Sequence, residues 1–193
     1  EYTVGPSGYN LGIYSVIADP EHTELDQGYV QYKNDTITAK FGRQVITMDG
    51  HRFIGHVGWR QDRQTFDAVS AKVTPTKDLT LQYVYISQRN RIFAEDADVD
   101  AKDHLLNASY KTRLGQLTAY GYLLEEDNTA NKTIDTYGFS FTGSTKTGDI
   151  KILYSAEIAT QTQETSTAEF DAEYLSLSAG AVLGGITAKV GYE

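Results

Sequence analysis

Six of the seven arginines in this 193-residue sequence lie between positions 43 and 91: Arg43, Arg52, Arg60, Arg63, Arg89 and Arg91. That window holds eight basic and four acidic residues, so it carries +4 within a chain of net charge -9. Guanidinium groups stay charged at any relevant pH and grip carboxylates through two parallel hydrogen bonds. Gathered at the mouth of a pore, they attract anionic solutes and exclude cations. Paired with nearby Asp and Glu, the same groups only hold loops together, by the same ion-pair geometry. With Lys40, these six arginines are the candidate solute-binding residues.

Other chemistry is sparse. The sequence has no Cys, which removes disulfides, zinc-thiolate sites and thiol nucleophiles. It contains no Gly-x-Ser-x-Gly elbow, no phosphate-binding Gly-rich loop followed by Lys, and no His-Glu-x-x-His. Neither catalysis nor a cofactor is expected. The histidines His22, His51, His56 and His104 lie in or beside polar connections. His51 and His56, five residues apart without an evident carboxylate partner, read as loop residues and not as metal ligands. The run Asp96-Ala97-Asp98-Val99-Asp100 begins like a calcium loop. It then places Ala101 where the sharp-turn Gly belongs and Asn107 where the bidentate Glu belongs, so no metal site is assigned.

The elements that would carry the arginines are strands. Fourteen Tyr, with abundant Thr, Val and Ile, favour extended structure. Eleven segments show period-two patterning or strand-like composition: 9–18, 27–33, 36–45, 65–74, 79–89, 105–112, 116–124, 134–142, 149–158, 171–183 and 186–192. Leu106, Ala108 and Tyr110, for example, alternate with Asn107, Ser109 and Lys111. The segment from Leu79 to Ile86 is apolar on both parities. Lys40, Lys72, Lys111, Lys151 and Lys189 mostly fall on the polar parity.

Turn residues such as Asn34-Asp35, Arg113-Leu114-Gly115 and Gly184-Gly185 mark short connections. Longer polar ones lie at 19–26, 46–64, 90–104, 125–133 and 159–170, and the two kinds alternate. The five long connections hold sixteen of the twenty-six Asp and Glu. An up-and-down meander with short turns at one end and long loops at the other produces this rhythm, as in outer-membrane barrels. A Greek-key sandwich would break it. No apolar run approaches the roughly 18 residues of a spanning helix, but a spanning strand needs only about 9–11, half of them polar. The expected fold is therefore an all-β, antiparallel up-and-down transmembrane barrel. The acidic balance argues against nucleic acid as a partner. The competing reading is a soluble extracellular β-protein that binds carbohydrate through exposed Tyr and Trp.

Within this pattern, Phe41-Gly42-Arg43-Gln44, then Asp49-Gly50-His51-Arg52-Phe53-Ile54-Gly55, then Val57-Gly58-Trp59-Arg60-Gln61 and Gln64-Thr65-Phe66-Asp67-Ala68 resemble the bacterial alginate-export family. The resemblance implies an outer-membrane channel passing small or anionic solutes, such as a uronate saccharide, with outer-membrane lipid and lipopolysaccharide around it. It also implies an Arg-rich constriction, carried by motif position to Arg43, Arg52 and Arg60. It implies more strands than the eleven counted, and a terminal aromatic where this sequence has Gly191-Tyr192-Glu193. Residues 1–193 are accordingly expected to form a single barrel domain, incomplete at one or both ends.

Overall fold

The computed structural model describes residues 22–127 and 132–193. Ten strands form one antiparallel sheet, each paired with the next in sequence: β1 (Gly28–Lys33), β2 (Ile37–Gln44), β3 (Thr65–Val73), β4 (Leu79–Asn90), β5 (Val99–Lys111), β6 (Gln116–Glu125), β7 (Thr133–Thr147), β8 (Ile150–Glu164), β9 (Glu169–Leu183) and β10 (Ile186–Tyr192). They correspond to the second through eleventh segments expected from the sequence. The first, 9–18, lies outside the described residues. Among the described strands β1 and β10 are the two edges of the sheet, which is therefore not closed.

Several strands run further toward the long-loop end than the alternation indicates. β5 begins at Val99 and β8 continues to Glu164, with β9 resuming at Glu169. The long connection expected at 159–170 is thus only the four residues 165–168. The reason is a change of medium along each strand. Outward positions are apolar along the middle of the strands, as with Tyr83, Leu106, Phe139, Ile158 and Leu175. Beyond that band the same parity becomes Asp100 and Lys102 on β5, Asp135 on β7, and Asp171 and Glu173 on β9. The hydrogen-bonded ladder continues into water after the apolar signal has stopped.

The two faces differ sharply. Outward side chains are large, apolar and exposed, with Phe41 68 % and Phe139 65 % accessible. The opposite parity carries Lys40, Ser70, Asn107, Ser109, Thr118, Ser155 and Ser178, in mutual register from strand to strand. Ser155 and Ser178 share a hydrogen bond of 2.7 Å across that face. Covering such an outward band with water would be costly, whereas hydrocarbon covers it at no cost.

Connection 45–64 is the exception to the polar inner face. It turns back over it and buries Ile46, Met48 and Ile54 against Phe66, Ala68, Val84, Ile86, Leu105, Tyr120 and Tyr122. This contact explains why β4 is apolar on both parities: Val84 and Ile86, on the inner side, are completely covered. Farther along the same loop, Phe53 packs on Tyr120 of β6 and Tyr174 of β9, at ring separations of 5.9 and 5.6 Å. Neighbouring Arg52 reaches Glu193, just past β10. Strands lie about 4.8 Å apart, so β6 and β10 would be separated by about 19 Å on a flat sheet. Two adjacent residues touch both, so the sheet curls around the loop.

Candidate functional site

The loop is held inside by a polar latch as well as by apolar packing. Asp49, at φ 48°, accepts hydrogen bonds from Asn107 Nδ2 at 3.1 and 3.0 Å and a short one from the Tyr122 hydroxyl. Tyr122 stacks on Tyr120, with centroids 4.8 Å apart. Tyr120 in turn donates to Glu157 on β8 at 2.7 Å. Room for the Tyr120 ring comes from Gly138 on β7: a Cβ there would sit 2.3 Å from the ring. The Arg52 guanidinium lies 4.8 Å over the Tyr174 ring. Along this path an aromatic surface (Phe53, Tyr120, Tyr174) stands beside one guanidinium and several hydroxyls. Such a lining suits a planar or sugar-like anion, with rings for the apolar faces and a guanidinium for the carboxylate.

The seven sequence-selected cations fall in different places. Arg52 is on the inner face, in the loop. Lys40 is also inward, its Nζ 4.3 Å from the Tyr29 ring centroid. Arg89 points inward but is tied down: it grips Asp103 by two hydrogen bonds of 2.8 and 2.7 Å, and Glu126 lies 3.5 Å away. Arg43 has the opposite parity. Its guanidinium forks to Asp67 at 2.8 and 3.0 Å on the outward side, at the loop end of β2. Arg60 stacks over Trp59 at 3.9 Å. Arg63 forks to Asp26, with Nε to Oδ1 at 2.7 Å. The backbone amide of Arg91 donates to Asp98 at 2.7 Å. The arginines therefore share one end of the sheet but do not form one cluster: Arg43, Arg52, Arg63 and Arg89 each have a carboxylate partner.

Arg60 and Arg63 line a cavity of about 570 Å³ at the loop-end rim, together with His22, Glu24, Asp26 and Asp62. Burial pushes the carboxyls of Glu24, Asp62 and Asp98 above their ordinary values, and neighbouring acids add to the effect. The hydrogen bond from Arg63 holds Asp26 below its own. His22, Glu24 and Glu95 present ligand atoms within 4.8 Å of one another, a spacing a cation could use. His51 and His56 stack edge to face at 5.8 Å and are not part of that group.

Sequence reasoning missed the Asp49 latch and the aromatic track on β6 and β9. Asp49 enters the sequence reading only within the 46–64 connection and its family-like motif, and Tyr120 and Tyr174 are not singled out there. The alternation of β6 does place Tyr120 and Tyr122 with Thr118 on the polar parity, which is the available signal.

The model of the family described as alginate export matches residues 15–193. Among solved structures, the chain is similar to the Pseudomonas aeruginosa outer-membrane protein OpdK. The crystal structure with vanillate gives a TM-score of 0.68 at 14 % identity, over 84 % of this chain and 45 % of that one. A second OpdK structure gives 0.68 at 16 % identity, over 84 % and 46 %. Pseudomonas aeruginosa OccK9 (OpdG) gives 0.62 at 16 %, over 84 % and 43 %. The chain thus spans a little under half the length of these solved relatives. No curated protein sequence matches it. The ten-strand meander, the outward apolar band and the match over 15–193 agree, and this chain belongs to the alginate-export family of bacterial outer-membrane β-barrel proteins.

Proposed function

We propose that this chain forms part of the wall of a larger single barrel, a passive outer-membrane channel for small or anionic solutes, in which loop 45–64 narrows the passage. The observation that carries the proposal is the loop itself. It leaves β2 and makes contacts on β5, β6, β9 and just beyond β10 across one curled face. Acidic oligosaccharides, uronates among them, are the solute class that fits the lining best. The aromatic track offers sugar faces a stacking surface and Arg52 offers carboxylates a partner. The vanillate held by OpdK in its crystal structure is likewise a small carboxylate. Transport needs no catalytic step, and none is assigned. Outer-membrane lipid and lipopolysaccharide are the partners of the outward band. That band disfavours the soluble carbohydrate-binding alternative, because it would expose rows of Phe, Tyr, Leu and Ile to water.

Planar-bilayer recording of the complete protein that contains this chain provides the test. Discrete conductance steps are expected, with Arg52→Gln shifting the reversal potential toward cations because it leaves Glu193 unpaired beside the passage. Arg43→Gln, on the outward parity, should leave ion preference nearly unchanged. An equal shift from both variants, or none from Arg52→Gln, would overturn the assignment of the lining.

A further inference from the structure

Strand register places every strand lysine except Lys102 on the inner face. Lys33 and Lys72 both flank Thr38, and Lys40 stands opposite Ser70. Lys111 pairs with Gln116. On the other side of the described wall, Lys146 and Lys151 are direct cross-strand partners, and Lys189 faces Gly180. The inner assignment follows from the same rows. Ser70 donates to buried Gln44, and the parity of Gly180 is that of Tyr174, which meets the loop.

Two features set these lysines apart from the arginines. The first is position: Lys33, Lys72, Lys111, Lys146 and Lys151 are within three residues of a short turn, at the end opposite the six arginines of the 43–91 window and shared with the seventh, Arg113. The second is pairing. Both lysine ion pairs among the described residues belong to Lys102, with Glu125 and Asp127, on the outward side at the loop end. The acids at the short-turn end, Asp35, Asp78 and Asp149, lie in the turns and are not within ion-pair distance of any of these lysines. Lys146 opposite Lys151 opposes folding, because like charges directly across an antiparallel pair repel. One Glu at either position would remove that cost. Among the described residues, these ammonium groups stand without a carboxylate partner on a wall whose outward neighbours, Ile150 and Ile152, are apolar.

We propose that these inward lysines form an anion-collecting vestibule at the short-turn mouth, distinct from the loop constriction, which draws polyanionic saccharides into the channel from that side. The inference rests on the channel reading above. Short turns are periplasmic in outer-membrane barrels, so the collecting mouth faces the periplasm. Charges lining a low-dielectric passage focus their field along it and accelerate capture of the opposite charge, by about 10- to 1,000-fold in other clefts. The spacing is suitable: Lys33 and Lys72, one strand apart on either side of Thr38, are separated by about 10 Å, within reach of successive carboxylates on an oligomer.

The test uses the complete protein in a planar bilayer and an oligogalacturonate of defined length as blocker, added to one side at a time. Block from the short-turn side is expected to be the faster in the parent protein. In K33Q/K72Q/K146Q/K151Q/K189Q its on-rate should fall about tenfold or more, with block from the loop side changing less than twofold. The pair variant K146Q/K151Q loses a like-charge repulsion and should insert at least as well as the parent. It is expected to show a smaller drop on the same side only, and Lys102→Gln none. Unchanged short-turn block in either lysine variant, or an equal loss from both sides, overturns the vestibule while leaving the channel intact. Failure of the parent protein to conduct at all overturns the channel reading instead.

Discussion

Asp49→Ala is expected to loosen loop 45–64 from the wall and to produce a larger, noisier single-channel conductance. The carboxylate is the acceptor for Tyr122 Oη and for Asn107 Nδ2. Hydrogen bonds to a charged group are each worth about 1.5–3 kcal/mol where they are shielded. Asp49 is exposed, so the whole latch is taken as about 2–4 kcal/mol. Removing it also takes away the acceptor for the O–H of Tyr122, which is only 1 % accessible and keeps just the bond it accepts from Asn107 at 3.2 Å. The apolar anchors Met48, Ile54 and Phe53 remain, each contributing about 1.5–3 kcal/mol. The loop should therefore stay docked most of the time and open far more often. Tyr122→Phe keeps the ring stack and the Asn107–Asp49 bonds but loses the hydroxyl's bonds to Asp49 and from Asn107, so it should lie between parent and Asp49→Ala. Conductance and open-channel noise identical to the parent in both variants would mean that the latch does not position the loop.

The largest stability loss is expected from Arg89→Met. Asp103 is fully buried, and the paired guanidinium hydrogen bonds are the principal compensation for its charge. Breaking a buried ion pair from one side costs about 3–5 kcal/mol, because the remaining charge is left in an apolar setting. Replacing both groups removes that penalty. Arg89→Met/Asp103→Leu should recover all but about 1–2 kcal/mol, the remainder coming from the Glu125 amide that donates to Asp103 at 3.0 Å and from Glu126, which loses its contact with Arg89. Denaturant midpoints of the refolded protein in detergent micelles compare the three forms. Equal loss in the single and double variants would show that the pair acts by shape and not by charge.

Much of this architecture was legible in the sequence, and the misreadings have physical causes. The outward apolar parity is set by hydrocarbon, so alternation locates strands only inside the bilayer. The water-exposed ends of β5, β8 and β9 had no such signal. The double-sided apolar pattern of β4 was visible, but its cause is a loop distant in sequence that covers Val84 and Ile86. The arginine set contained an inconsistency that period two alone exposes. Lys40 and Arg43 lie on opposite parities of β2, so they cannot share a lumen wall. Register then pairs Arg43 with Asp67 outside and leaves Lys40 within. The Asp49 latch depends on contacts 58 and 73 residues away in the chain, which no local pattern encodes.

The central claim is that the face covered by loop 45–64 is the water-filled side of a channel and the other face is in lipid. This chain has no cysteine, so it adds no thiol background of its own to single thiols introduced on β9. Ser176 shares the inner parity of Tyr174, whereas Leu175 and Leu177 are outward. A charged, membrane-impermeant methanethiosulfonate applied during bilayer recording should reduce the current of Ser176→Cys and leave Leu175→Cys and Leu177→Cys unaffected. Block at the two leucine positions with none at Ser176, or no difference among the three, would contradict the account.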